Sequence, residues 1–300
     1  MGIAVRLSGH EKDLGGGFTV RRLLPAANQR AVGPFVFFDH FGPVAEQPGH
    51  GHDVRPHPHI GLATVTYLFE GAMMHRDSLG VVQRIEPGAI NWMTAGSGIV
   101  HSERKPEDLL DKAFTNHGLQ LWVGLPAEHE EEAPSFSHTA AAEIPEADVE
   151  DAKVRVLVGE AFGLRSPVRT YSHTLYLDIR LPAGGKLTLP SLAKEMALYP
   201  VEGSLHLGGE VVAERTMATL APGAPVELRA EGPVRLAVVG GDPLGHRFMW
   251  WNFVSSRKER IEQAAKDWDA GRFAPVPGET EFIPLPPSPA VAPGKGTVPG

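Results

Sequence analysis

The sequence predicts an all-β protein: two similar β-domains in tandem, then one helix and a tail rich in proline and glycine. Three observations carry this. Short stretches of period-2 apolar patterning are separated by turn signals at roughly ten-residue intervals through both halves. A faint internal repeat recurs at a nearly constant offset. A clear helical periodicity stands out near the C-terminus. The 34 glycines and 27 prolines among 300 residues supply the turns that so many short strands need.

Taken in order, residues 1–130 form the expected first domain and residues 131–255 the second. The boundary falls in the acidic, alanine-rich stretch from Glu128 to Asp151. In the second domain Val154 to Val158 reads as a short apolar strand. Leu175, Leu177, Ile179 and Leu181 alternate with Tyr176, Asp178 and Arg180, the pattern of a half-buried strand. Pro182 to Gly185 breaks it, and Lys186 to Leu189 begins another. The repeat is carried by Tyr67 to Gly71, echoed 132 residues on by Tyr199 to Gly203. It is carried again by Ile85 to Ala89, echoed 135 residues on by Leu220 to Ala224.

Residues 256–283 hold the helix and an extension. Ser256 followed by Glu259 reads as a capping box, and Ile261, Ala264, Ala265 and Trp268 fall on one face. Gly271 suits the position just past the helix end. Residues 284–300 contain six prolines and three glycines, the composition of a disordered tail.

Charge and composition exclude whole classes of function. A net charge of −8 argues against nucleic acid or an anionic membrane as partner. The absence of cysteine removes disulfides, thiolate ligands and thiol nucleophiles, so any metal must be held by nitrogen and oxygen. The N-terminus shows no apolar signal region, and no apolar run approaches the roughly 18 residues of a membrane span, which leads to the expectation of a cytoplasmic protein.

Histidine spacing points to the chemistry. His57 and His59 stand at i and i+2 at the start of a strand-like run, and His101 and Glu103 form a second such pair. Alternate residues of a strand face the same side, so each pair presents its ligand groups together. If the two strands are neighbours, three imidazoles and a carboxylate converge, a donor set for iron, manganese, nickel, copper or zinc. In a six-coordinate ion this set leaves positions open for water, dioxygen or substrate. Pro56 and Pro58 lack N–H donors and place the first pair at an edge or a strand entry rather than in a central ladder. With 14 histidines a chance pair is unremarkable, so the repeat decides. The two offsets map His57 and His59 to Leu189 and Ser191, and His101 and Glu103 to Leu236 and Val238. The first domain thus reads as metal-binding and the second as filled with core.

At these residues the chain resembles the pirin family of the cupin superfamily. The similarity runs through PFVFFDH (34–40), RPHPHIG (55–61), TVTY (64–67), HRDSLG (75–80), NWMTAG (91–96), GIVHSE (98–103) and GLQLWV (118–123). The resemblance implies two cupin, jelly-roll type β-barrels with a mononuclear metal, usually Fe(II), in the first alone, its ligands falling on His57, His59, His101 and Glu103. Some members of the family are described as quercetin 2,3-dioxygenases and others as iron- or redox-dependent regulators that bind protein partners. The enzyme reading expects a small aromatic substrate such as a flavonol, with Glu103 as both ligand and catalytic base, ring cleavage by dioxygen and loss of carbon monoxide. A substrate-sized cavity reaching the site favours the enzyme, and a sealed site favours the regulator. His75, Asn91 and Gln120 are candidates to orient the ligands. His117 and Trp122 read as structural, and Arg76-Asp77 as a surface or turn ion pair.

Overall fold

The computed structural model describes residues 2–14, 18–49 and 53–287. Most of the expected tail, residues 288–300, lies outside the described residues. The chain builds two jelly-roll domains of antiparallel strands, each a seven-stranded sheet against a four-stranded one. In the first domain the larger sheet centres on Leu62–Glu70, Phe114–Gly124 and Phe35–Glu46. The smaller runs in the order Val54–His59, Ile99–Arg104, Met73–Asp77, Val82–Ile85, so of the two places open to the prolines, edge or strand entry, they lie within an edge strand. The second domain repeats the plan, with Lys186–Leu189, Val226–Ala230, Leu205–Leu207 and Glu210–Val212 in the corresponding order.

Two strands cross the boundary placed at residue 130. Ser135–Thr139 pairs with Ile90–Thr94 on the first domain's larger sheet. Ile3–Leu7, at the other end of the chain, pairs with Met217–Leu220 of the second. Each completes a sheet edge that its own neighbours in sequence leave open.

The two larger sheets pack against each other. Phe35, Phe38, Leu119 and Leu121 of the first meet Leu157, Tyr176, Ala197 and Val239 of the second in one buried cluster. Alternation therefore does not mean half burial here. Leu175, Leu177 and Ile179 fill the second domain's interior, while Tyr176 and Asp178 are buried on the opposite face against the first domain. The expected half-buried strand has water on neither face except at Arg180.

Strand registers reveal a pseudo-symmetric polar contact across this interface. Leu119 pairs with both Tyr67 and His40, and Ala237 pairs with both Tyr199 and Asp178. Tyr67 thus corresponds to Tyr199 and His40 to Asp178. Each tyrosine bonds the other domain's partner: the Tyr67 hydroxyl donates to Asp178 at 2.8 Å, and the Tyr199 hydroxyl meets His40 Nδ1 at 2.7 Å. His40 Nε2 then lies 2.7 Å from His117 Nε2, so one ring donates to the other.

Burial, reinforced by neighbouring positive charge, lowers His40 to about 3 and His117 to about 4. Unfolded, both titrate near about 6.5. Between those values the unfolded chain binds more protons, so stability is complete above about pH 6.5 and falls as pH drops toward the folded values. We expect metal-free His40→Gln to lose less stability than the parent between pH 6.5 and 4.5, by at most about 1.4 kcal/mol per pH unit. Urea unfolding at several pH values reads this directly, and parallel slopes would contradict it.

The helix Lys258–Asp269 buries Ile261 and Ala264 and lays Ala265 and Trp268 on the same cluster. Its end is as expected. Gly271 takes φ +64°, and the N–H groups of Gly271 and Arg272 reach the Trp268 and Asp267 carbonyls at 3.0 and 2.8 Å. Its start differs. Arg257 is the N-cap and no side chain caps it, because Ser256 donates to Glu130 at 2.9 Å instead. Glu130 also accepts the Ser255 hydroxyl, so a long-range acceptor has taken the capping serine.

Candidate metal centre

The pairing of Val54–His59 with Ile99–Arg104 sets His101 opposite His57 and Ile99 opposite His59. The three histidines are buried, and their ligand nitrogens lie within 4.8 Å of one another. Backbone carbonyls orient two of them. His57 Nδ1–H donates to Arg55 O at 2.8 Å and His59 Nδ1–H to Asn252 O at 3.1 Å, which turns each Nε2 lone pair inward. His59 Nε2 stands 3.1 Å from His101 Nε2, and His101 Nδ1 is buried with no partner among the described residues. Burial holds His57 down to about 4 and pushes His59 and His101 well below the usual imidazole range. Three neutral imidazoles therefore aim at one point.

The Asn252 contact depends on Gly61. Its φ is +68°, and a Cβ there would sit 2.0 Å from the Val254 carbonyl oxygen. The bare glycine lets the strand Phe253–Ser255 lie against the ligand strand, with Val254 N–H donating to Ile60 O at 3.2 Å. Asn252 is thereby delivered to His59 from 193 residues away in sequence.

Glu103 faces the same cavity but stands outside the 4.8 Å set. The register shift here belongs to the partner strand, where His101 faces His57 but Glu103 faces Val54, while residues 101–104 pair regularly with Met74 to Asp77. Burial alone raises its carboxyl to about 7, and it forms no hydrogen bond or ion pair among the described residues. The site therefore combines inward lone pairs, an orphaned imidazole nitrogen and an unpaired carboxylate. A divalent cation with nitrogen and oxygen ligands fits these needs.

Other expectations fare differently. Arg76 and Asp77 do not pair. Asp77 is fully buried, bonded to His75 Nε2 at 2.9 Å and to the Leu79 and Val81 N–H groups, because residue 77 shares the inner face with 75. Arg76, on the outer face, reaches Glu107 at 3.6 Å. The His75 ring lies 5.3 Å from that of His101 and stacks on Phe136, so it packs beside His101 without bonding it. Asn91 orients nothing at the site, since its side-chain oxygen accepts from His138. Gln120 lines the cavity and accepts from the Thr66 hydroxyl at 2.9 Å. Trp122, read as structural, stacks on Phe37 at 3.9 Å and sets its ring 5.1 Å from His59.

The cavity over the three imidazoles has a volume of about 560 Å³. Aromatic walls come from Phe18, Phe37, Phe41, Trp122 and Trp251. On one side Arg22 grips Asp39 through two bonds of 2.8 and 2.7 Å and lies over Phe37. Burial raises the Asp39 carboxyl and Arg22 counters it. Ile283, the last residue of the expected extension, and Pro286, in the expected tail, line another side. Sequence patterning carried no signal for Asn252, Trp251, Ile283 or Pro286, since only the fold brings them here.

The second domain offers no such centre. Leu228 pairs with Leu187 and Leu207 just as His101 pairs with His57 and Asp77. The counterparts of His57, His59, His101 and Glu103 are therefore Leu187, Leu189, Leu228 and Ala230, correcting Leu189, Ser191, Leu236 and Val238. Connections of unequal length defeat a constant offset, but the apolar character stands: the three leucines are fully buried in one continuous core.

Two jelly-roll domains with a histidine-built site in the first alone define a bicupin. The chain belongs to the pirin family: the Pirin model matches residues 17–123 and the Pirin C-terminal cupin domain residues 176–274. It is 49% identical to a pirin-like protein of Caulobacter vibrioides, over 92% of this chain and 96% of that one. It is 40% identical to a Pseudomonas aeruginosa protein described provisionally as a quercetin 2,3-dioxygenase, over 89% of this chain and 84% of that one. A crystal structure of quercetin 2,3-dioxygenase from Acinetobacter baumannii superposes with a TM-score of 0.88 at 32% identity, covering 95% of both chains. Among the described residues no helix is long and apolar enough to cross a membrane.

Proposed function

We propose that this protein is a mononuclear metal-dependent dioxygenase that cleaves the heterocycle of a flavonol or similar flat phenol. The observation that carries it is the 560 Å³ aromatic-walled cavity ending on three inward imidazoles and an unpaired carboxylate. That volume falls in the range of about 300–1,000 Å³ that small ligands occupy. A sealed site would have spoken for a regulator.

His57, His59 and His101 would hold the metal, Fe(II) foremost, with Glu103 as a weak fourth ligand. When bound, the metal supplies Lewis acidity and a meeting point for dioxygen and substrate. Phe18, Phe41 and Trp251 line the space with aromatic surface that disfavours water, and Phe37 is held between Trp122 and Arg22 as a fixed wall. Glu103, buried and facing the same cavity as the three imidazoles, takes the proton of the substrate hydroxyl. Gln120 presents an amide to the same space.

Aerobic flavonol loss with carbon monoxide release by metal-loaded protein tests the reading, and full iron occupancy without turnover would refute it. Glu103→Gln should keep most of its metal and lower kcat by about 10²–10⁴. An unchanged kcat would remove Glu103 from the chemistry.

A further inference from the structure

The C-terminal extension is fastened to the metal-bearing sheet at three points, each next to a ligand. The Ile283 N–H donates to Pro56 O at 2.8 Å, one residue before His57. Glu279 accepts from the Ser102 hydroxyl and from Arg104, the two residues that flank Glu103. Arg104 also holds Asp53, just ahead of the ligand strand, at 3.4 Å, and Glu281 at 2.9 Å. From behind, the Trp268 indole N–H donates to Ile283 O at 3.0 Å, so the helix carries the segment. Ile283 and Pro286 then form part of the cavity wall.

We propose that residues 276–286 are a strap that narrows the mouth of the metal cavity and controls how readily molecules enter it, latched by Glu279. The proposal rests on the function proposed above and deepens it: the strap governs which molecules reach that site. Arg104 is the central cation of the latch, tying Asp53, Glu279 and Glu281, and hence the ligand strand and the strap, to one point. High salt weakens the more exposed pairs with Asp53 and Glu281 first. Glu279 is nearly covered and keeps the strap seated.

Access can be read without metal or turnover. Metal-free full-length protein and its Glu279→Ala variant are exposed to diethyl pyrocarbonate, which carbethoxylates neutral imidazoles, and modification is mapped by peptide mass. The interdomain His40 and His117 serve as the internal control. We expect modification of His57, His59 and His101 to rise roughly tenfold or more in the variant, the opening gained when charge-assisted bonds are lost, with the control pair unchanged. Amide hydrogen exchange of Ile283 should quicken in parallel. Faster exchange with unaltered imidazole modification would show a latch that covers nothing and overturn the proposal, as would no change in either. Glu279→Gln, which keeps a hydrogen-bond acceptor, should fall between the two, and equal rises at all five histidines would instead mean general unfolding and reject the strap. Metal content of the wild-type protein, measured separately, tells failure of the metal reading apart from failure of the strap.

Discussion

Replacing His57, His59 and His101 together by leucine should abolish metal binding and leave the chain folded, with its metal-free stability within about 2 kcal/mol of the parent. The second domain is the physical precedent. Leu187, Leu189 and Leu228 occupy the matching positions on a sheet of the same order and are fully buried. Leucine and histidine are close in volume, so the exchange neither crowds the sheet nor opens a new void. Two carbonyls, Arg55 O and Asn252 O, lose a donor, which destabilises. Three buried polar rings disappear, including the unpartnered Nδ1 of His101, which stabilises. The terms oppose each other at about 1–3 kcal/mol per group, so the net effect is small. Metal loss is not small, because removing ligands costs more than the roughly 10–100-fold of removing their supports. Metal analysis after anaerobic loading with Fe(II) and urea unfolding of the metal-free forms are the two measurements. Retained metal would place the ligands elsewhere, and an unfolded variant would mean the histidines hold the domain together.

The three imidazoles were legible because strand periodicity is local. Residues i and i+2 face one way whatever the rest of the chain does, and two prolines keep the HxH pair out of a central strand. Glu103 was legible only in direction. That it lines the cavity follows from spacing, but that it stands outside the 4.8 Å set of imidazoles does not. Everything supplied from afar was hidden. Asn252 reaches His59 through a bridge that depends on Gly61, and Ser256 abandons its cap for Glu130. Asp178 looked like the wet side of a strand, since periodicity reports that a face differs, not what lies against it. Here the other face meets a second sheet.

That second sheet makes Asp178→Ala the most damaging substitution we foresee outside the metal centre, at about 3–5 kcal/mol. Asp178 accepts from the Tyr67 hydroxyl at 2.8 Å and from Arg235 at 3.0 and 2.6 Å. The Asp178 side chain is 2% exposed and that of Arg235 12%, and the guanidinium lies 4.2 Å over Phe69. Removing the carboxylate leaves a charge and a phenol without their acceptor between two sheets, where water cannot replace it. The cost is chiefly that stranded charge, so Asp178→Leu combined with Arg235→Met should recover more than half of the loss. The pseudo-equivalent contact of Tyr199 with His40 is neutral, so His40→Ala should cost less, about 1–3 kcal/mol. Urea unfolding at pH 7.5 separates these cases. If Asp178→Ala costs under about 1 kcal/mol, water enters the interface and the two sheets are not a sealed core. If the double variant is no better than the single, the loss comes from packing and the ion pair is incidental. The ordering of Asp178→Ala above His40→Ala follows from charge alone, since strand register makes the two positions counterparts and both link the same pair of sheets.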